Sequence, residues 1–310
     1  MRICLMTEGQ EGQSWNEWAA LARAAEDAGL NGFFRSDHYS SFHGAPGPAL
    51  DAWSTIAALS VVTKRLRLGT LVSPATFRHP SVLARMVASA DEISGGRIEL
   101  GMGTGWHESE HAQNGFEFPA LKERFDELEE QLDIVVRSWT GAVFDHRGKH
   151  YSLTQQQALP KPVQAPHPPI IMGGQAKPRS IDLAVRYASE YNTLITSPEQ
   201  CRARRALLDA ACRRAGRDPD TLTLSLMGFA ALGETSAEAQ ESRARGLALM
   251  PNLRQGLDRM GEFTGSIEQV AAQLRAYEQH GVSRVYLNHF DYKNLRAVAL
   301  MGKLAQTFAS

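Results

Sequence analysis

The chain has 310 residues, 43% hydrophobic and 22% charged, with a formal net charge of −1. That composition is globular, and its near-neutral balance leaves no basic field to hold nucleic acid or an anionic membrane. No apolar run approaches the ~20 residues a membrane helix needs.

Taken in order, strand-like apolar runs alternate with segments of helical periodicity. RICLMT (2–7) precedes the helical WNEWAALARAAEDAG, with Gly29 as its stop, and Trp15 and Trp18 are expected to pack that helix. GFFRSD (32–37) precedes ALDAWSTIAALSVVT; RLRLGTLV (65–72) precedes HPSVLARMVASADEIS; RIELGMG (97–103) precedes a long helix from Leu121 to Trp139. Residues 140–168 are irregular, with a small hairpin in FDHRGKHYSL and a proline-rich run that excludes a central strand or helix. The alternation resumes with PIIMGG, EYNTLI, TLTLSLMGFAAL and VSRVYLNHF, each followed by helix; the polar region from Ala237 to Met260 reads as helical. Eight such units predict a (β/α)8 TIM barrel, one domain over 1–310 with an insertion at about 140–168; an open doubly wound sheet is the rival. MRICLMTEGQ lacks the apolar stretch and cleavage site of a signal peptide, and Cys4, Cys201 and Cys212 read as reduced thiols, so a cytoplasmic protein is expected.

In a barrel, chemistry sits at the C-terminal strand ends. Asp37 and His38 fall there, so they are either a capped turn or groups delivered into a pocket, with Phe42 on the following loop (to Pro48) as its roof. Ser73-Pro74 is a strand end or a strained tip. Gly101, Gly103 and Gly105 either make a tight turn or let a flat ring or phosphate approach the backbone. His107-Glu108-Ser109-Glu110-His111 is a literal HExxH, the zinc-hydrolase pattern. It starts just after a glycine turn, is expected to end by Gly115, and has no third ligand at a recognised spacing, so a short polar helix with Trp106 at its start is preferred to a metal site. Gly173-Gly174 before a helix at Pro178 suggests an anion site, aided by Lys177 and Arg179. Arg78 and His79 read as structural, and KERFDELEE as a solvated helix face.

SDHY, RLRLGTLVSPATFRHP, SGGRIELGMGTGWHESEH, FPALKERFDELEEQL and PKPVQAPHPPIIMGG, in this order, resemble the luciferase-like monooxygenase superfamily, and most its coenzyme F420 (deazaflavin)-dependent branch. The resemblance runs to about Asn192 and more loosely beyond. It implies a TIM barrel, a homodimer, and a deazaflavin, or alternatively FMN, at the mouth. It implies that His38 lies by the reactive face of the ring with Asp37 beside it, and that Phe42 belongs to the substrate pocket. Leu71-Val72 match a bulge, often a non-proline cis peptide, that backs the ring. Thr104 and Gly105 match a loop on the ring or its ribityl chain, and Gly173, Gly174, Gln175 and Ala176 a phosphate loop. Relatives also carry a WHExEH run, which accounts for HESEH without metal. Where sugar-phosphate dehydrogenases of this branch have a glutamate after GTG, this chain has Trp106, which is taken as substrate-facing and leaves the substrate open. The expected activity is hydride exchange with a small organic molecule. In it His38 moves the proton, and Asp37 orients His38 or contacts the cofactor. Alternatives are a reduced-FMN monooxygenase, a zinc hydrolase and a non-catalytic cofactor carrier.

Overall fold

The computed structural model describes residues 1–44 and 47–308. Ala45 and Pro46, part of the expected roofing loop, lie outside the described residues.

The strands are β1 Arg2–Thr7, β2 Gly32–Arg35, β3 Arg67–Thr70, β4 Ser73–Pro74, β5 Ile98–Gly103, β6 Phe144–Arg147, β7 Ser152–Gln156, β8 Ile170–Gly173, β9 Glu190–Leu194, β10 Thr223–Gly233, β11 Phe263–Ser266 and β12 Val282–His289. The helices are α1 Trp15–Asp27, α2 Ala52–Val62, α3 Pro80–Ser94, α4 Glu108–Asn114, α5 Leu121–Thr140, α6 Pro178–Tyr187, α7 Pro198–Arg214, α8 Ser236–Leu249, α9 Arg254–Met260, α10 Ile267–Gln279 and α11 Leu295–Gln306. Eight parallel strands close on themselves in the order β1-β2-β3-β5-β8-β9-β10-β12, with β12 returning to β1, as expected from the sequence. The barrel follows from strands buried on both faces, which read as continuous apolar runs rather than alternating ones. Local signals fix the helix ends: Ser14 and Glu17 form a capping box on α1, and Gly95, at φ +69°, closes α3.

Alternate residues turn outward and inward. Ile3, Leu5, Val285 and Leu287 join the large core between barrel and helices. Cys4, Met6, Phe34, Ile171 and Tyr286 fill the barrel. Beneath them Arg284 pairs with Glu99 at 2.6 Å and with Glu190 at 3.0 Å, while Tyr286 donates to Glu190 at 2.6 Å. Removing one partner of such a buried network costs about 3–5 kcal/mol. This layer closes the N-terminal end and leaves the C-terminal end for a site.

Three details differ from the sequence expectation. The 237–260 region is two helices, α8 and α9, separated by a short turn at Pro251–Leu253. The strand β11 (FTGS), which the pattern did not reveal, extends β10 outside the barrel. Of the two tryptophans, Trp18 is buried and Trp15 exposed. The hairpin in the insertion is present as β6 and β7. Among the described residues, no helix is long and apolar enough to cross a membrane.

Candidate active site

Beyond β2 the chain is held by Arg35. Its guanidinium is buried over the Trp18 ring, 4.7 Å from the centroid, and donates to Thr55 Oγ1 and to the Leu50 carbonyl, both at 2.9 Å. Burial pulls its pKa down to about 10. A side chain at Gly9 would overlap this group, since an added Cβ lies 2.0 Å from Nη2. With the strand end fixed, Asp37 and His38 project in different directions.

His38 Nδ1 lies 2.7 Å from Glu110 Oε2, a carboxylate from α4 with a fully buried side chain. The other oxygen, Oε1, accepts the backbone N–H groups of Tyr39 and of Ser40, the latter at 3.0 Å. Burial would raise the Glu110 pKa, but the His38 hydrogen bond and charge and the two amides outweigh it and hold it below the ordinary carboxylate value. An ionised carboxylate only accepts, so His38 Nδ1 carries the proton and Nε2 is the free nitrogen of the neutral ring. Nε2 has no hydrogen-bond partner among the described residues. Phe42 stands edge-on to the imidazole at 5.0 Å and Trp106 at 5.7 Å, so the two expected substrate-side residues are brought onto His38.

Asp37 does not orient His38. Its carboxylate binds Arg78 through two hydrogen bonds, 2.6 and 3.0 Å, and accepts from Ser73 at 2.5 Å. Arg78 also reaches Tyr39 Oη and Asp51, each at 2.9 Å. Burial acts against the Arg78 charge, and the facing Asp37 carboxylate more than restores it, raising its pKa. Neighbours along an extended chain face opposite sides, which is why the adjacent carboxylate serves the scaffold and one 72 residues away meets the imidazole.

The HExxH run is spent on hydrogen bonds. α4 ends at Gly115, as expected. His111 donates from Nδ1 to the His107 carbonyl at 2.8 Å and meets Thr76 Oγ1 through Nε2 at 2.7 Å, while Glu110 holds His38. Glu110 and His111 are buried in different directions, and sequence periodicity gives no signal of that.

Elsewhere at the mouth, part of the wall has no side chains. β3, β5 and β8 turn Gly69, Gly101, Gly103 and Gly173 inward, by the same parity that puts Glu99 and Ile171 inside. The Leu71-Val72 peptide is cis, and Val72 leans over the glycines. A Cβ added to Gly69 or Gly101 would lie 2.2 Å from the carbonyl oxygen of Glu99 or Thr70, so close strand packing requires glycine there; one at Gly103 would lie 2.9 Å from a Val72 methyl and one at Gly173 3.9 Å from the other. Gly103 and Gly173 thus leave a cradle beside Val72 at the mouth. Thr104 and Gly105, the latter at φ +76°, continue from it.

The loop Gly173 to Ala176 leads into α6. Tyr191 Oη accepts the Ala176 N–H and meets Ser180 Oγ, both at 2.8 Å, and the Gly174 N–H donates to the Asn192 carbonyl. The amides of Gly174 and Ala176 are therefore engaged. Those of Arg179 and Ser180 have no intrahelical acceptor, and α6 has no side-chain cap. Arg179 does not supply charge here: it turns to α5, 2.5 Å from Asp126. Glu11, which the sequence did not single out, holds the roofing loop through Ser41 Oγ at 2.7 Å and the amides of Phe42 and His43.

A family model described as luciferase-like monooxygenase matches residues 2–262. The F420-dependent glucose-6-phosphate dehydrogenase of Microbacterium testaceum is 33% identical over 67% of this chain, and the chain spans 62% of that relative's length. A monooxygenase structure from Streptomyces bottropensis has a TM-score of 0.84 at 22% identity over the whole of both chains. An F420-dependent secondary alcohol dehydrogenase in complex with an F420-acetone adduct has a TM-score of 0.84 at 18% identity, covering 98% of this chain and 97% of that one. At these identities the two structures speak for the fold. With barrel and matched residues in agreement, the chain belongs to the luciferase-like monooxygenase family.

Proposed function

We propose that the protein is a coenzyme F420-dependent oxidoreductase that exchanges hydride with a small organic substrate. The observation that carries the reading is the His38–Glu110 pair, 2.7 Å apart, at the same end of the barrel as Gly103 and Gly173. The matched relative is an F420-dependent dehydrogenase. The cradle suits a flat tricyclic ring because side chains at Gly103 and Gly173 would take up the space beside Val72. Leu71 and Val72 would back the ring and Thr104 and Gly105 its ribityl chain. Gln175, with the Gly173, Gly174 and Ala176 backbone around it and the amides at the start of α6, would take the phosphate. When bound, the deazaflavin supplies a carbon that gives or takes hydride.

The protein's own part is proton management and exclusion of water. Glu110 fixes the Nδ1–H tautomer, which leaves Nε2 to take the proton of a substrate hydroxyl or amine during oxidation, or to return it during reduction. Phe42 and Trp106, edge-on to the imidazole, would limit access by water once substrate is bound. Asp37 acts through the Arg78 clamp that shapes the loop.

The reading includes a homodimer, on the family resemblance. It also includes a cytoplasmic setting, which suits three buried, unpaired cysteines, and one barrel domain over 1–310 with 140–168 inserted. The test is a fluorescence titration of the purified protein with coenzyme F420 and with FMN. The expected result is deazaflavin binding at least tenfold tighter. Preference for FMN, with oxygen uptake when it is reduced, would replace the reading with a flavin monooxygenase.

A further inference from the structure

In β9, Glu190 points inward to Arg284, and Asn192 points inward to Ser225 Oγ at 2.9 Å, so strand parity turns Leu194 inward as well. Leu194 is 51% exposed, although residues 190–193 before it are buried. In the barrel order β9 stands four strands from β2, which puts Leu194 across the mouth from His38. The floor between them is apolar. Leu71 belongs to the cluster that fills the barrel, and Val72 and Met227 are partly buried against it, Met227 lying in register with Leu194. On the near side Trp106, edge-on to His38, is 60% exposed.

The polar groups around this surface are already engaged. Arg35 lies over Trp18, Arg78 is held by Asp37 and Asp51, and Arg179 by Asp126. Glu8, the inward residue beyond β1, accepts from Asn288 Nδ2 at 2.8 Å and from Gln10 Nε2 at 3.1 Å. His43 and His107 pack on Phe42 at 4.3 and 5.2 Å, and burial lowers the pKa of each, so both rings are neutral at pH 7. His38 Nε2 is left to meet a substrate, beside exposed hydrocarbon and indole. A phosphate or carboxylate placed there would lose water without gaining one of these cations. An apolar body would bury Leu194 and Trp106.

We propose that the substrate is an uncharged molecule with an apolar body, its reacting hydroxyl or carbonyl at His38 Nε2 and its hydrocarbon against Leu194, Met227 and Trp106. Leu194 is then a specificity-determining residue: it meets the end of the substrate remote from the reacting atoms, so its size sets the gain from a longer chain. The proposal rests on the oxidoreductase reading for the place of the reacting group and adds the chemical class of the substrate.

The test is calorimetric titration at pH 7 with 2-butanol, 2-hexanol, 2-octanol and octanoate, on the protein alone and loaded with F420. Affinity for the alcohols is expected to rise about threefold per added methylene, and octanoate to bind about tenfold or more weaker than 2-octanol. Leu194→Ala, at an exposed position that folding does not depend on, should cut the affinity ratio of 2-octanol to 2-butanol about fivefold. Affinity that does not change with chain length overturns the proposal. So does octanoate binding as tightly as 2-octanol, or a ratio that Leu194→Ala leaves unchanged. Failure of F420 to bind would instead remove the oxidoreductase reading, and the series on the unloaded protein would still decide the chemistry of the mouth.

Discussion

Glu110→Gln changes one atom of the site and is expected to invert the proton on His38. Oε1 of Glu110 accepts two backbone amides and Oε2 meets His38 Nδ1. A glutamine has one acceptor oxygen, and two N–H donors compete for it against one. The oxygen therefore stays with Tyr39 and Ser40, and the side-chain NH2 faces Nδ1. The neutral imidazole must then accept at Nδ1 and carry its proton on Nε2, where it no longer takes a proton from substrate. Loss of general base catalysis is worth about 10²–10⁴-fold. Glu110→Ala removes the charge-assisted hydrogen bond, about 1.5–3 kcal/mol or roughly 10–100-fold, but does not enforce the wrong tautomer. The conservative change should thus be the more damaging one for substrate oxidation. Single-turnover reduction of bound F420 gives the rates, and ¹⁵N shifts of His38 give the tautomer directly. A Glu110→Gln rate within threefold of wild type, or an unchanged Nδ1–H signal, would refute the reasoning.

Gly173→Ala should fold normally, because the added Cβ finds only Val72 at 3.9 Å, yet weaken F420 binding about tenfold or more by intruding on the ring; unchanged affinity in the titration would count against the cradle. Arg78→Ala leaves Asp37 buried and unpaired and should lower stability by about 3–5 kcal/mol in urea unfolding. Burial lowers the His289 pKa to about 4, with Asp291 and the Asn294 carbonyl opposing. Its stabilising contribution is therefore complete above the unfolded value of 6.5 and is lost as pH falls from there toward about 4, by on the order of 1 kcal/mol per pH unit; His289→Gln should flatten that part of the stability profile. The depressed pKa of Glu110 contributes stability above its unfolded value of 4.5 that is lost as pH falls further, a loss Glu110→Gln should remove.

The amino-acid sequence by itself determined the eight-fold alternation and hence the barrel, because parallel strands buried on both faces leave short apolar runs such as ICLM (3–6) and VYL (285–287) between helical segments. It also placed Asp37, His38 and the glycines of β5 and β8 at strand ends, since a strand's position fixes where its last residues emerge. Only the tertiary structure decided which carboxylate meets the imidazole. Asp37 is adjacent in the chain but faces Arg78, and Glu110 arrives on a helix whose HESEH pattern suggested metal ligands. The same holds for Arg179, drawn to α5 by Asp126, and for β11, a four-residue strand too short and glycine-broken to show a period. The Glu8–Asn288 pair joins residues 280 apart. Periodicity reports which way a side chain faces within its own element; which group waits on the other side is set by how the barrel closes.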